Sequence, residues 1–250
     1  MRLRRIALCL SGFLVTGFVG HAYAQTPASK ASPSESTTAS DTPAWMTALG
    51  QRHQELVERN GTGTNAVLRD RLMGMLAVDQ QVRNELVKQA QSTGKPPDVA
   101  QLHPVDAKLT TELKEIVAQS GWPTIQMVGF DASNAAMLIL IHTEDHAWQR
   151  GLLPSLEQLA AADKIDNSQL ATLVDKELVA AGKKQRYGTQ FKVQDGHMAI
   201  YALEDPAGLD ARRAAAMLPP LDVYKQMLAS AYGMAVSNDV VAVPNEQDHP

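Results

Sequence analysis

The chain has 250 residues, of which 44% are hydrophobic and 20% are charged, and its formal net charge is −4 at pH 7. This composition is typical of a folded domain with an apolar core. The acidic balance, with no basic run longer than "KKQR", argues against a nucleic-acid surface. The only cysteine, Cys9, lies in the N-terminal segment described next, so the mature domain is predicted to have no disulfide and no cysteine-ligated metal.

The first residues have the three parts of a secretory signal peptide. Arg2, Arg4 and Arg5 form a positive start, an apolar run extends from Ile6 to Val19, and "AYA" places small residues at the cleavage site. The sequence therefore predicts cleavage after Ala24 and export, either to the periplasm or out of the cell. The apolar run is too short for a comfortable membrane span, so no span is predicted after cleavage.

Composition divides the rest of the chain into further segments. Residues 25–43 are almost wholly Ser, Thr, Ala and Pro, which predicts a disordered tether because such a segment has little apolar surface to bury. Residues 44–120 form an N-terminal helical region, and residues 121–232 form a second helical region that contains a hairpin. Residues 233–250 are predicted to be a flexible tail.

Helical spacing of apolar residues marks three helices in the region 44–120. They are "AWMTALGQRHQELVER", "TNAVLRDRLMGMLAVDQQVRNELVKQAQ" and "VDAKLTTELKEIVAQS". The second has the longest apolar stripe, which consists of Leu68, Leu72, Met75, Leu76, Val82 and Leu86. "GKPP" separates the second helix from the third, and Gly121 and Pro123 end the third.

The region 121–232 begins with an apolar helix, "ASNAAMLILIH", for which Asp131 is the predicted N-cap. Two amphipathic helices follow, "LLPSLEQLAAA" and "SQLATLVDKELVAA", the second capped by Asn167 and Gly182. Two β-prone runs around Asp195-Gly196 predict a hairpin at about residues 188–203. Helical patterns return at "LDARRAAAM" and "PLDVYKQMLASAY". The predicted fold class is mainly α, a multi-helix, bundle-like domain with one small β-hairpin.

The apolar helix ends in His142, and His146 follows four residues later. A histidine at the edge of a buried layer has an environment that can set its tautomer and basicity, as a general acid or base requires. The alternative is a histidine that only donates to a carbonyl at a helix end. On one continuous helix, His142 and His146 would share a face and form half of a zinc site, although Asp145 stands where the motif H-x-x-E-H has Glu. No cofactor is predicted, and zinc is the weaker alternative.

The loop "KKQRYGTQF" is a second candidate for a binding site. Gly188 permits a positive φ, and Tyr187, Thr189 and Gln190 present polar groups suited to a sugar hydroxyl or an amide. Equally, these side chains could only tie the loop to the helices behind it.

Downstream of this loop, "LEDPAGLDARR" reads first as local structure. Asp205 before Pro206 predicts a helix start. One of Arg212 and Arg213 could hold an anion or a carboxylate, and a salt bridge to an acid of the helix before the loop is the simpler alternative.

Several short motifs follow one another after residue 120. They are "GWPT" (121–124), "VG" (128–129), "A-A-x-L-I" (135–139) leading into His142, Gln149, Asp175, "QRYGTQF" (185–191), "EDP" (204–206), "DARR" (210–213), "LPPL" (218–221) and Tyr224. In this order they resemble an uncharacterised bacterial family catalogued as domain of unknown function 6624, over about residues 121–225. The resemblance implies no reaction, but it implies that His142 and the "YGTQ" turn belong together. It does not extend to His146, because members read "QHAD" where this chain reads "IHTEDH".

Three functions remain as hypotheses. The first is a hydrolase- or lyase-type enzyme of the cell envelope with His142 as general acid or base; its candidate catalytic residues are His142, Tyr187 and Arg212, and its candidate binding residues are Gln149, Gln185, Gly188, Thr189, Gln190, Asp205 and Arg213. The second is a non-catalytic periplasmic module that binds an envelope partner. The third is a zinc-dependent hydrolase that uses His142 and His146. An accessible His142 with a second titratable group in hydrogen-bond range would favour an enzyme, whereas a buried, carbonyl-bonded His142 beside an exposed apolar patch would favour the module.

Overall fold

The computed structural model describes residues 43–94 and 97–244, and within them the chain forms nine α-helices, one 3₁₀ helix and three strands. The helices are α1 (Ala44–Asn60), α2 (Ala66–Thr93), the 3₁₀ helix (Val99–Leu102), α3 (His103–Ser120), α4 (Ile125–Val128), α5 (Phe130–His142), α6 (His146–Ala161), α7 (Asn167–Ala180), α8 (Leu209–Ala215) and α9 (Leu221–Tyr232). The strands are β1 (Phe191–Gln194), β2 (His197–Tyr201) and β3 (Val236–Val241). The prediction of a mainly α fold is confirmed. The predicted signal peptide, the tether up to residue 42 and the end of the tail from residue 245 lie outside the described residues.

Helix α5 is the centre of the core. Between Asp131 and the end of the helix every residue except Asn134 is buried, so this helix has no solvent-facing stripe. Helices α2, α3 and α7 pack around it. A helix enclosed in this way must find partners for its polar terminal groups inside the protein.

Both sequence regions contribute to the same hydrophobic core. One cluster joins residues of α2, α3, α5 and α7; its members include Leu68, Leu72, Met75, Leu109, Leu113, Ile116, Ala136, Ile139, Leu140, Leu170 and Leu173. The boundary predicted at residue 120 therefore does not separate two cores. In the part of the chain that the structure describes, no helix is both long enough and apolar enough to cross a membrane.

The three strands form one small sheet in the order β1-β2-β3. β1 and β2 pair as the predicted antiparallel hairpin, with Phe191 opposite Ile200, and both Asp195 and Gly196 adopt a positive φ at its turn. β3 then pairs in parallel with β2. The prediction of a flexible tail is therefore wrong for residues 236–241, where the β-branched valines at both ends of a short polar stretch favour a strand.

Four predicted helix starts differ from the structure, and the largest difference is at α6, which is predicted from Leu152 and begins at His146. α5 begins at Phe130 with Gly129 as its N-cap, and Asp131 lies inside the first turn. The cap of α7 is Asp166, whose side chain accepts a hydrogen bond from the Ser168 amide at 2.9 Å. Asp205 caps a turn before α8, which begins only at Leu209.

Replacement of Leu72 with alanine tests whether the two sequence regions unfold together. Leu72 is fully buried in the shared core, and the cavity left by its truncation should lower the free energy of unfolding by about 2–5 kcal/mol. We expect one urea transition, displaced to lower concentration, by both circular dichroism and tryptophan fluorescence. The matched control is Val67→Ala on the same helix, where the side chain is exposed and the midpoint should hardly move. Two separate transitions in Leu72→Ala would contradict a shared core.

Candidate functional site

The candidate site is built around the carboxyl end of α5. The helix stops after His142 because Thr143 is extended, with ψ 148°. Gln149 Nε2 donates to the carbonyl oxygen of Leu140 at 2.7 Å, and Lys176 Nζ donates to the carbonyl oxygens of Ile141 and, at 2.8 Å, of Thr143. Both donor side chains are buried. Gln149 and Lys176 thus provide hydrogen-bond donors for the terminal carbonyl groups of α5. Because His142 lies between two of the bonded residues, Ile141 and Thr143, its position is fixed.

His142 belongs to a group of four side chains that we call the buried cluster: Asp79, Arg83, Asp106 and His142. Nδ1 of His142 lies 2.8 Å from Oδ1 of Asp79. Arg83 donates through Nε to the same oxygen at 3.0 Å, and through Nη2 to Asp106. Gln80 Nε2 donates to the other Asp79 oxygen at 2.7 Å. The cluster thus connects α2, α3 and α5 through charged hydrogen bonds inside the protein.

The two carboxyl groups of the buried cluster have pKa values displaced in opposite directions. Burial acts to raise the pKa of Asp79, but the hydrogen bond and charge of His142, together with Arg83, outweigh it and the pKa is lowered. Burial raises the pKa of Asp106, and Arg83 only partly opposes that effect. Asp79 is therefore the carboxyl group that stays ionised, and Asp106 is the one that holds a proton more readily.

This arrangement has the elements of acid–base chemistry. An ionised Asp79 accepts a hydrogen bond from Nδ1–H of His142. When the ring is neutral, this bond fixes the tautomer and makes Nε2 the ring nitrogen that can accept a proton. Asp106 is a second carboxyl group with a different proton affinity, in a separate helix. Two titratable groups whose pKa values are shifted in opposite directions by their surroundings can take separate acid and base roles.

The same residues also offer a set of ligand atoms for a metal ion. One atom each from Asp79, Asp106 and His142 lie within 4.8 Å of one another. Arg83, however, forms ion pairs with both carboxylates, at 3.0 Å to Asp79 and closely to Asp106. A cation could use these ligands only by displacing the Arg83 guanidinium, so the geometry alone gives no reason to place a metal here.

His142 and His146 do not lie on one continuous helix, which was the condition for a shared face. α5 ends at His142 and α6 begins at His146, with the extended Thr143 between them. Nδ1 of His146 lies 2.5 Å from Oε1 of Glu177, and Arg150 donates to the other oxygen of Glu177 at 3.1 Å. The two histidines are oriented by different carboxylates.

The "YGTQ" loop forms a second polar network, centred on Asp175 of α7. The Asp175 carboxylate accepts hydrogen bonds from the main-chain amides of Arg186, Tyr187 and Thr189 at 2.7–3.1 Å, and from the Thr189 hydroxyl at 2.9 Å. Burial raises the pKa of the Asp175 carboxyl, and these hydrogen bonds oppose the rise. Gly188 adopts φ 68°, which lets the loop close around the carboxylate.

Arg213 closes the other side of this loop. Its guanidinium donates to the carbonyl oxygens of Pro219 at 2.8 Å, Tyr187 at 2.5 Å and Gly188 at 3.3 Å, and it lies 4.9 Å from the ring centre of Tyr224. Arg213 is fully buried, and burial lowers its pKa and raises the pKa of Tyr224 to about 12. These contacts place Arg213 inside the fold.

The remaining predicted residues lie at two further places. The side chain of Gln185 donates through Nε2 to the main-chain carbonyl oxygens of Gln190 at 3.1 Å and Tyr201 at 2.8 Å. Its Oε1 atom accepts from the main-chain amide of Gln190 at 2.9 Å. These bonds fasten the loop to the sheet. Arg212 donates to the Asp205 carboxylate at 2.7 Å on the surface, and to the Arg186 carbonyl oxygen at 3.1 Å.

The structure therefore sorts the predicted site residues into separate networks. His142 lies with Gln149 at the end of α5, whereas Tyr187, Gly188 and Thr189 surround Asp175. Sequence reasoning did not find Asp79, Arg83 or Asp106. The available signal was the apolar stripe of α2, in which an acid and an arginine spaced four residues apart occupy buried positions between Met75 and Leu86.

A carbon-13 NMR titration of the aspartate carboxyl groups tests the opposite displacements. We expect Asp79 to titrate below the ordinary value of 3.8 and Asp106 above it. Because the folded pKa of Asp79 is the lower one, its ionisation stabilises the fold at pH values above the unfolded pKa, and this contribution is lost as the pH falls through the folded pKa. His142→Gln should move the Asp79 titration upward. An Asp79 pKa that does not rise in His142→Gln would contradict the assignment.

Replacement of Asp175 with alanine tests the structural role of the loop network. It would leave three main-chain amides and a hydroxyl group without their acceptor, and we expect the free energy of unfolding to fall by about 3 kcal/mol or more. The control is Asp205→Ala, which removes an exposed carboxylate on the same side of the domain and should have a much smaller effect in urea unfolding. Equal losses in the two variants would show that Asp175 does not organise the loop.

Comparison with known proteins adds a family but no activity. A family model described as "Family of unknown function (DUF6624)" matches residues 66–237. No curated protein matches the chain, and no solved structure matches it. The matched segment begins at the first residue of α2, so it contains Asp79, Arg83 and Asp106 as well as the motifs after residue 120. The chain belongs to this family of unknown function, DUF6624.

Proposed function

We propose that the protein is an exported enzyme of hydrolase or lyase type, in which the Asp79–His142 pair acts as the base and Asp106 as the acid. The observation that carries the proposal is the 2.8 Å contact between Nδ1 of His142 and Asp79 inside a charged cluster. Buried ionisable groups cost free energy unless they are fully paired, and a hydrophobic replacement is often as stable. Perturbed carboxyl groups beside an oriented histidine are therefore candidates for function.

The proposed reaction has two proton transfers, one to His142 and one from Asp106. Nε2 of His142 would remove a proton, from water in a hydrolysis or from the substrate in an elimination. Asp106 would give a proton to the leaving group and end as a carboxylate beside Arg83. Such proton transfers typically contribute about 10²- to 10⁴-fold to the rate.

The surrounding side chains would have positioning roles. Asp79 orients the His142 ring, and Arg83 holds the carboxyl groups of Asp79 in α2 and Asp106 in α3 at fixed places. Gln149 and Lys176 hold the main chain on either side of His142. In this proposal Gln149 keeps a place at the site, while Tyr187 and Arg213 support the fold of the neighbouring loop.

A non-catalytic binding module is the second candidate, and a different observation favours it. The side chain of His142 is only 2% exposed, and the charges of the buried cluster pair with one another. Between α2 and the 3₁₀ helix, a groove of about 230 Å³ is lined by Gln81, Val82, Glu85, Leu86, Gln89 and Gln101. A peptide or a polar chain of the cell envelope would be a suitable ligand for such a glutamine-rich groove.

Export is part of the proposal and is supported by the first 24 residues, which have the organisation of a signal peptide. Mass spectrometry of the protein recovered from a bacterial periplasm should find Gln25 as its first residue. An uncleaved chain in the cytoplasm would contradict export and would leave the chemistry of the buried cluster to be tested separately.

The chemistry is tested with purified protein and a panel of envelope substrates, namely peptidoglycan fragments, glycosides, esters and phosphoesters, with product detection by mass spectrometry. We expect His142→Gln, Asp79→Asn and Asp106→Asn each to lower kcat by about 10²-fold or more. The matched control is His146→Gln, since His146 is also paired with a carboxylate but is 41% exposed and outside the buried cluster.

Two results would contradict the enzyme proposal. One is an equal rate for His142→Gln and His146→Gln. The other is a folded wild-type protein that turns over no member of the panel but binds one of them, with binding lost on replacement of Gln89 in the groove. That second result would support the binding module.

A further inference from the structure

Side-chain exposure increases in steps from the buried cluster to two residues on the segments that carry it. The side chains of Asp79 and His142 are 1% and 2% exposed, and that of Asp106 is 11% exposed. His103, on the same helix as Asp106, and Glu144, two residues after His142, are 52% and 66% exposed. Asp106 is therefore the most exposed side chain of the buried cluster, in which Arg83 is 6% exposed.

His103 and Glu144 form an ion pair, with Nδ1 of His103 lying 2.5 Å from Oε1 of Glu144. Each belongs to the same segment as one of the proposed catalytic groups. His103 precedes Asp106 by three residues on α3, so the two share a face of that helix. Glu144 follows His142 by two residues, and its charge is close enough to Asp106 to help raise the pKa of that carboxyl.

We propose that the His103–Glu144 pair is a side-chain gate over the buried cluster, and that its opening gives ligands access to His142. The inference rests on the proposed function, because only a working site needs an entrance. It differs from that proposal in what it requires: accessibility of His142 can be measured whether or not a substrate is known.

The gate is formed by side chains because the main chain beneath it is held in place. The carbonyl oxygen of Thr143, directly before Glu144, accepts hydrogen bonds from Lys176 at 2.8 Å and from Gln149 at 3.3 Å. On the other side of Glu144, the Asp145 carboxylate caps α6 by accepting from the Trp148 amide at 2.9 Å. Rotation of the Glu144 side chain away from His103 would break one exposed ion pair, whereas moving the main chain would break all these bonds.

A second ion pair provides the matched control. Lys114 Nζ lies 2.5 Å from Oδ2 of Asp145, so it also joins α3 to the connection between α5 and α6. Lys114 lies eleven residues after His103 on α3, about 16 Å further along the helix axis, so this pair does not involve the part of α3 that carries His103 and Asp106. Loss of this pair should loosen the same connection without opening the gate.

The experiment measures carbethoxylation of His142 by diethyl pyrocarbonate in the folded full chain, with peptide mass spectrometry as readout and His146 as the internal reference in each sample. We expect Glu144→Ala and His103→Ala each to raise the rate at His142 by about two- to fivefold, the range expected for loss of an exposed ion pair. Lys114→Ala should leave it unchanged. Amide hydrogen exchange at residues 143–145 should be the same in wild type and in Glu144→Ala.

An unchanged rate at His142 in both gate variants would overturn the proposal. An equal rise in Lys114→Ala, or faster amide exchange at residues 143–145 in Glu144→Ala, would also overturn it, because either result means that the main chain opens instead of the side chains. Failure of the gate and failure of the enzyme proposal are distinguishable. Faster labelling of His142 in the gate variants of a protein without activity contradicts only the proposed function. Loss of activity in His142→Gln, together with an unchanged labelling rate of His142 in Glu144→Ala and His103→Ala, contradicts only the gate.

Discussion

The carbonyl groups at the carboxyl end of α5 lie inside the protein, where they need hydrogen-bond donors other than water. Those donors are Gln149 of α6 and Lys176 of α7. An ammonium group is well suited to this place because the end of a helix carries a partial negative charge. The enclosure of α5 thus explains why the domain buries a lysine and a glutamine, and why His142 has a fixed position.

Helix α7 connects this end of α5 to the rest of the structure. Three consecutive charged residues, Asp175, Lys176 and Glu177, are buried on it. Successive residues of a helix point about 100° apart, so each meets a different neighbour. Asp175 binds the loop at residues 186–189, Lys176 binds the end of α5, and Glu177 binds His146 and Arg150 at the start of α6. One short stretch therefore orders both polar networks, which is the physical relation between His142 and the "YGTQ" turn.

Much of the fold is predictable from the sequence because the spacing of apolar residues indicates which face of a helix or strand is buried. The longer helices, the hairpin and the central position of "AAMLILIH" follow from that pattern, whereas the 3₁₀ helix and the four-residue α4 were not predicted. The start of α5 does not follow from that pattern, because Asp131 is the stronger N-cap by residue type. The structure uses Gly129 instead. A Cβ atom at that position would lie 2.8 Å from the carbonyl oxygen of Thr62. β3 was missed because its central residues are polar and its partner β2 is distant in sequence. Only part of the candidate site was predicted. His142 is conspicuous at the end of an apolar run, but Asp79 and Arg83 lie on a helix face that was identified from its apolar residues alone.

The state of the His142 ring tests the central claim most directly. Nitrogen-15 NMR of the imidazole in the folded chain distinguishes a protonated Nδ1 from an unprotonated one. If the ionised Asp79 carboxylate orients His142, Nδ1 carries a proton, and Asp79→Asn changes the nitrogen-15 shift of that atom while the His146 ring keeps its own. An unprotonated Nδ1 in the native chain would contradict the account, because the Asp79–His142 pair could not then prepare Nε2 as a base.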